Sequence, residues 1–451
     1  MRSRKFITAL FSITLLAAPV LTLAQSKDTT EKPEGTGAPP RYQIVDIGFV
    51  GQTDTASQGL GVSPTGTGLG RSIRTGGSQA FTWTTATGIT GLTNLSGRAY
   101  CLSSGANESG FAAGTCSTSL TGTSRLPVMW MNGVPAQLPL PAGQTLGDAN
   151  DVNASGIAVG SMNSGSLQRG VIYSNGTATQ ITQTTAGGSF FVTAFKINDT
   201  GRVIGQGIDP SNAARNVGMV FDIGSANAIE VGALPNANGA LAFDVSNSGY
   251  VVGSSMQNQG SGLPYRWSQA EGMIAIPLPV GTTQGSGRGV NSAGWVVGNA
   301  SSATSIPFVY DGTNTYRLGD LLPTNSGWDL LNNTSSSALG ISDGGVIVGT
   351  GVRNGQIRAY AMVPVASLAG RVVTGGGMPV RNARVTVSGG NLPAPLVAYT
   401  SGFGYFRFDT LQAGVQYTVS VQAGKYTFNQ PSQTVTLSGD IEDLNFIADS
   451  H

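Results

Sequence analysis

"DVSNSGYVVG", at residues 244–253, combines a β-branched strand end, a polar turn and a short apolar strand. Six related decapeptides occur elsewhere in the chain. They are "GVSPTGTGLG" (61–70), "GANESGFAAG" (105–114), "DVNASGIAVG" (151–160), "KINDTGRVIG" (196–205), "GVNSAGWVVG" (289–298) and "GISDGGVIVG" (340–349). The sequence therefore contains seven copies of one structural unit.

The residues at each position of this decapeptide, numbered 1 to 10, predict a hairpin. Position 3 is Asn or Ser, whose short side chain can hydrogen-bond the backbone of a turn, and Gly at position 6 suits a tight turn with positive φ. Apolar residues at positions 8 and 9 predict a strand buried on both faces, and Gly at position 10 predicts close backbone approach. The acidic turns leave a calcium loop as an alternative, although its alternating oxygen ligands and closing Glu are missing.

The spacing of the copies predicts a propeller. Their last glycines stand at 70, 114, 160, 205, 253, 298 and 349, a period of about 45 residues that is typical of four-stranded blades. A third strand ending in an aromatic residue follows each hairpin, as in "QAFTW" (79–83), and we expect Trp83, Trp130 and Trp267 in the core. The seventh copy lacks a fourth strand, which residues 42–47 can supply by closing the ring. An open β-solenoid is the alternative.

The decapeptide and the later "QAFTW" element resemble the HAF-repeat family of extracellular bacterial proteins over residues 41–365. The namesake His is absent from every copy. The resemblance implies an exported repeat protein without defined catalytic residues.

From residue 366 to 451 the repeat is replaced by alternating apolar and polar residues, which predict a small β-sandwich. In "GYFRF" (404–408), alternation places Phe406 and Phe408 on one face and Tyr405 and Arg407 on the other. The segment "GRVVTGGGMPVRNARVTVSG" (370–389) resembles carboxypeptidase regulatory-like domains, a similarity that extends over 366–449. That resemblance implies an accessory module, sometimes associated with glycan binding, and no peptidase activity.

The first 24 residues predict a secretory signal peptide, with a basic start, an apolar core and small residues before Gln25. An uncleaved anchor helix is the alternative, but the apolar run is short for a bilayer. Residues 25–40 predict a flexible linker. We therefore expect a secreted, extracellular or cell-surface protein, with the bacterial periplasm as another location and no membrane segment after cleavage. The net charge of +1 predicts no nucleic-acid partner.

The residues available for chemistry are few. The only His is His451, which leaves no internal residue for a Ser-His-Asp triad or a His-based zinc site. We predict no catalytic residues, no metal and no cofactor. The two cysteines, Cys101 and Cys116, flank one decapeptide turn symmetrically, and we predict a disulfide between them.

Two functional hypotheses remain. The first is a non-enzymatic protein that binds a glycan or a surface protein, or serves as cell-surface architecture. Its candidate ligand-binding residues are aromatic: Phe111, Tyr250 and Trp295 at position 7, and Trp328 in a loop. Packing between blades is the alternative for position 7. The second hypothesis is a carbohydrate-active enzyme that uses propeller carboxylates, for which Asp151 and Asp244 at position 1 are available. Carboxylates that converge on the ring axis would favour the enzyme.

Overall fold

The computed structural model describes residues 38–122, 124–164, 167–257 and 262–449, so the predicted signal peptide and most of the linker lie outside the described residues. The first strand is β1 (Tyr42–Asp46). The next three sets of four strands are β2 (Ala56–Val62), β3 (Gly68–Arg74), β4 (Gly77–Thr84) and β5 (Gly88–Gly91); β6 (Tyr100–Ala106), β7 (Phe111–Ser117), β8 (Leu126–Met131) and β9 (Val134–Gln137); and β10 (Gly147–Val152), β11 (Ala158–Ser164), β12 (Leu167–Ser174) and β13 (Thr177–Gln180).

Three further sets of four strands follow in the chain. They are β14 (Phe190–Ile197), β15 (Arg202–Ile208), β16 (Asn216–Asp222) and β17 (Ile229–Glu230); β18 (Ala237–Val245), β19 (Val251–Gln257), β20 (Gly262–Ser268) and β21 (Gly272–Ala275); and β22 (Gln284–Val290), β23 (Val296–Ser301), β24 (Ser305–Tyr310) and β25 (Thr315–Arg317). A 3₁₀ turn at Leu318–Leu321 and strand β26 (Trp328–Asp329) lead to β27 (Ser337–Ile341), β28 (Ile347–Arg353) and β29 (Gln356–Thr374).

Each set of four strands pairs antiparallel in chain order, and a single parallel bridge between Ser78 and Tyr100 joins the first two sets. These sets are the first six blades of a seven-bladed β-propeller. The seventh blade contains β27, β28 and β29, and its outermost strand is β1 from the other end of the repeat region. The pairing runs from Tyr42 opposite Pro364 to Asp46 opposite Tyr360. The predicted ring closure by residues 42–47 is therefore confirmed, and the open solenoid is excluded.

Side chains as well as backbone hold the closing strand. Tyr42 and Ile47 are buried in the clusters that surround the seventh blade. The carboxylate of Asp46 forms ion pairs with Arg353 at 2.6 Å and Arg358 at 2.7 Å, which joins residues more than 300 positions apart in sequence. Loss of β1 would expose an unpaired strand edge and break all of these contacts.

The decapeptide glycines behave as their positions predict. Position 6 has φ between 75° and 97° in all seven copies, a region that side chains other than Gly rarely adopt. At position 10, an added Cβ would lie only 1.8 to 2.1 Å from a carbonyl oxygen of the neighbouring strand in every copy. A β-bulge opposite each position-10 glycine causes this approach, since the innermost strand carries one extra residue just before position 1.

The C-terminal region is a β-sandwich that begins inside the last propeller strand. The 19-residue β29 passes through position 366, where sequence places the domain boundary, and its second half pairs with strands of the sandwich. The remaining strands are β30 (Arg384–Gly389), β31 (Leu396–Tyr399), β32 (Tyr405–Gln412), β33 (Gln416–Gln422), β34 (Ser432–Thr436) and β35 (Phe446–Ala448). One sheet has the order β31-β30-β33-β34, and the other places β29 between β32 and β35.

Several side-chain predictions are also confirmed. Phe406 and Phe408 face the sandwich core, while Tyr405 is exposed. Cys101 and Cys116 form the predicted disulfide between β6 and β7. The three repeated tryptophans are at most 6% exposed: Trp83, Trp130 and Trp267. Among the described residues, none of the helices has the length and apolarity that crossing a membrane requires.

Candidate functional site

Position 3 of the decapeptide closes each turn. In all seven copies its side-chain oxygen accepts a hydrogen bond from the backbone N–H of position 7, at 2.8 to 3.1 Å. The acceptors are Ser63, Asn107, Asn153, Asn198, Ser246, Asn291 and Ser342. The hairpin role that the sequence predicts for Asn and Ser is therefore confirmed.

In the copies with Asn at position 3, the side chain also makes a hydrogen bond to the next blade, which the ten-residue pattern does not reveal. Each side-chain amide donates to the position-3 carbonyl oxygen of the next blade, at 2.8 to 3.3 Å. The donors are Asn107, Asn153, Asn198 and Asn291. The Ser copies keep the turn bond, but their shorter side chain makes no bond to the described residues of the next blade. Asn at position 3 thus links neighbouring blades at the end of the ring axis that carries the decapeptide turns, called here the turn end.

Position 1 places three charged residues on the axis. Lys196 Nζ lies 3.6 Å from Asp151 Oδ1 and donates to the carbonyl oxygen of Ser104 at 2.9 Å. Lys196 belongs to blade 4 and Ser104 to blade 2, so the side chain reaches past blade 3 and lies at the ring centre. Asp244 of blade 5 lines the same cavity. The carboxylates therefore converge, with an ammonium group beside them.

Both carboxylates already have backbone partners. Asp151 Oδ2 accepts from the N–H of Ile197 at 3.1 Å, and Asp244 Oδ2 accepts from the N–H of Val290 at 2.8 Å. Each of these bonds joins one blade to the next. The position-1 carboxylates consequently act as inter-blade ties in the same way as the position-3 amides.

Burial changes the acidity of the two carboxyl groups. It raises the pKa of Asp244 to about 7; Lys196 and the Val290 amide oppose this rise, and the charge of Asp151 adds to it. Burial also raises the pKa of Asp151, against the attraction of Lys196. Since two carboxyl groups share one ammonium group, Asp244 is partly protonated at neutral pH.

The available space limits what this charged group can do. A carboxyl group with a pKa near 7 has the proton affinity of a general acid. The cavity beside it measures ≈ 50 Å³, which admits a few water molecules and is far below the roughly 300–1,000 Å³ of small-molecule sites. The described residues also contain no cluster of three or more His, Cys, Asp or Glu side chains that could hold a metal. A sugar ring does not fit at this point of the axis.

The extra residue of each bulge lies one position before the decapeptide, on the side of the charged layer away from the turns. These seven bulge residues are all partly buried, and they differ from blade to blade: Leu60, Ser104, Asn150, Phe195, Phe243, Arg288 and Leu339. Three of them lie side by side. The rings of Phe195 and Phe243 are 6.2 Å apart, and the guanidinium of Arg288 lies 4.1 Å from the centre of the Phe243 ring.

A groove of ≈ 260 Å³ opens between blades 5 and 6 at these residues. Phe243 and Arg288 line it together with polar side chains, among them Gln284, Ser254 and Asn299. Its volume lies just below the range of small-molecule sites, about five times that of the axial cavity, and its combination of aromatic, cationic and amide groups suits the binding of a small polar ligand. A sequence signal for it was available, because the residue before position 1 ranges from Leu and Phe to Ser, Asn and Arg among the seven copies.

The four predicted ligand-binding aromatics lie elsewhere, each partly buried against an inter-blade cluster. Phe111 packs against the cluster of blade 3, and Tyr250 against that of blade 6. Trp295 and Trp328 both pack against the cluster of blade 7, where Trp328 meets Tyr360 edge to face at 5.8 Å. The structure therefore gives the position-7 aromatics the packing role that was the alternative, and it does not bring the four side chains into one site.

No family model matches the chain, and no curated protein matches it. Among solved structures, an oligogalacturonate lyase from Vibrio parahaemolyticus is 11% identical, with a TM-score of 0.44 over 72% of this chain and 94% of that one. The protein YCF48 bound to the D1 peptide is 9% identical, with a TM-score of 0.42 over 72% and 96%. A catalytically inactive virginiamycin B lyase from Staphylococcus aureus, with quinupristin, is 10% identical, with a TM-score of 0.39 over 71% and 99%. At these values no function is carried over from them.

Proposed function

We propose that this chain is a secreted, non-enzymatic binding protein whose propeller recognises a glycan or a surface protein. The observation that carries the proposal is a difference along the axis between the residues that hold the blades together and the residues that line the groove. The repeated residues, including Asp151 and Asp244, are engaged in turns and inter-blade hydrogen bonds. Two of the variable bulge residues, Phe243 and Arg288, line the open groove. Variable side chains on a rigid scaffold are the usual source of specificity.

The alternative is a carbohydrate-active enzyme that uses the axial carboxylates. Their convergence and the Asp244 pKa of about 7 favour it. Against it stand the cavity of ≈ 50 Å³ and the backbone donors that occupy both carboxylates. The binding role therefore has the better physical support.

The experiment that separates these functions is a glycan array with the full-length protein, run beside turnover assays on the same glycans. We expect binding without product formation. Hydrolysis or lyase activity that Asp244→Asn abolishes would contradict the proposal and support the enzyme. Detection of the processed protein in the culture medium or periplasm, beginning at Gln25, tests the export that the proposal requires.

A further inference from the structure

Arg288 differs from the other bulge residues in carrying a charge, and that charge is not balanced locally. Its Nε donates to Ser286 Oγ at 3.0 Å, and within the described parts of the chain neither terminal nitrogen has a protein acceptor and no carboxylate pairs with it. The nearest acidic residue in sequence, Glu271, pairs with Arg266 at 3.5 Å, and Asp244 of the neighbouring blade accepts from the Val290 amide. Partial burial lowers the pKa of Arg288, as expected for a guanidinium that is partly shielded from water and has no carboxylate partner among the described residues.

The surroundings hold the guanidinium in a defined orientation. Phe243 supports its plane from one side at 4.1 Å, while Ser286 fixes the Nε edge. The terminal nitrogens, which form the two-pronged edge of the group, are then left for the groove of ≈ 260 Å³ that Arg288 lines. A carboxylate matches that edge with two parallel, charge-assisted hydrogen bonds that lie in the plane of the guanidinium group.

We propose that the groove between blades 5 and 6 binds the carboxylate of an acidic sugar through the guanidinium of Arg288. This inference rests on the proposed binding function and names the ligand class for it. The polar side chains of Gln284 and Ser254 on the groove wall suit sugar hydroxyl groups. The groove volume suits one sugar ring at a time, so contact with a polymer would be repeated and individually weak.

The test uses the full-length protein and matched small glycosides in ligand-observed NMR titrations. The probes are the methyl glycosides of glucuronate and galacturonate, each beside its neutral hexose, and a 6-sulfated hexose glycoside. We expect at least one uronate to bind ten times more tightly than its neutral partner and more tightly than the sulfated sugar. Equal affinity within both pairs, or preference for the sulfate, would overturn the proposal.

Two variants locate the site. Arg288→Gln should lose tenfold or more in uronate affinity, while Arg169→Gln should not, because Arg169 stacks on Phe190 at 4.3 Å in the same manner but does not line the groove. Gln284→Glu keeps the arginine and adds a negative charge to the groove, so it should weaken binding similarly even if Arg288→Gln fails to fold. Unchanged binding by either groove variant in folded form would refute the site. Glycans bound on the array but not through the groove would refute this inference alone, whereas turnover would refute the proposed function.

Discussion

At the turn end of the axis, position 3 closes every hairpin and, where it is Asn, ties the blade to the next one. On the other side of the charged layer, the seven bulge residues are two leucines, two phenylalanines, a serine, an asparagine and an arginine. Within the described part of the chain, only Ser104 and Asn150 among them share a contact, a hydrogen bond to a carbonyl oxygen of the next blade. Both sets of residues come from the same innermost strands. The comparison indicates that a position restricted to Asn and Ser builds the ring, whereas a position that accepts residues of very different chemistry is free to take part in recognition.

The largest effect is expected when the ring of blades is opened, which tests whether the contacts between blades hold the fold together. Deletion of residues 25–49 removes β1, its ladder with β29 and the Asp46 ion pairs. We expect aggregation or a fall in melting temperature of about 10 °C or more. Deletion of 25–40 alone should leave the melting temperature nearly unchanged. Equal melting of the two truncations, measured by calorimetry, would show that β1 does not hold the ring.

The second prediction concerns the close approach inside each blade. In Gly205→Ala the new Cβ would lie 1.9 Å from the carbonyl oxygen of Thr193, so the bulge must shift. We expect the free energy of unfolding to fall by about 3 kcal/mol or more. Gly187→Ala in the same blade is the matched control, because its Cβ would meet only Thr185 Oγ1, at 3.9 Å. Urea denaturation of both variants measures the difference, and similar losses would contradict the role assigned to position 10.

The third prediction separates the two roles of Asn at position 3. Asn198 accepts from the N–H of Arg202 at 2.8 Å and donates to the carbonyl oxygen of Ser246 at 2.9 Å. Asn198→Ala loses both bonds at a buried site and should cost about 1–3 kcal/mol. Asn198→Ser creates the residue used in other copies, keeps the turn bond and should cost clearly less. If denaturant unfolding gives equal losses for the two variants, the inter-blade bond is the only one that matters.

The fourth prediction concerns the charged layer, where the effect depends on pH. The pKa of Asp244 is raised to about 7 in the fold, from an ordinary value of 3.8, so the native state binds more protons than the unfolded state between these values. Stability from this group is therefore present at low pH and is lost as pH rises through 7. In Asp244→Asn the amide oxygen can still accept the hydrogen bond from the Val290 N–H. The free energy of unfolding of this variant should therefore equal that of the wild type near pH 4 and exceed it at pH 8.

Thermal melts across pH 4 to 8 check this prediction. Asp222→Asn is the control of opposite sign, because a hydrogen bond from Arg202 lowers the pKa of Asp222. Its carboxylate is half exposed, so we expect only a slight loss of stability, and only above the ordinary pKa. A constant difference between wild type and Asp244→Asn at every pH would contradict the buried, partly protonated state of Asp244.

Much of the fold was predictable because it depends on local patterns. The Gly at position 6 and the apolar pair at positions 8 and 9 specify a turn and a buried strand within ten residues, and the period of about 45 specifies the blade. The unpartnered segment at 41–49 and the incomplete seventh copy together indicated closure. Cys101 and Cys116 were predictable for the same reason, since their symmetric spacing about one turn places them opposite each other in a hairpin.

The candidate site was not predictable in this way. A repeat position favours a role for Asp151 and Asp244 within their own hairpins, but the groups that they contact belong to the next blade. The bulge residues were overlooked because an inserted residue is recognised only from the register of two strands. The position-7 aromatics appeared exposed in the pattern of one hairpin, yet the neighbouring blade covers them.

By itself, the sequence determined the elements, their number and the way the ring closes, because turns and strand burial follow from residues close together in the chain. Only the tertiary structure decided which side chains meet across blades: Lys196 beside Asp151 on the axis, and Arg288 over Phe243 at the groove. The physical reason is that contacts across the ring depend on the twist and bulge of each sheet and on how seven sheets pack around one axis. Those quantities are set by the whole assembly of strands, and no ten-residue pattern contains them.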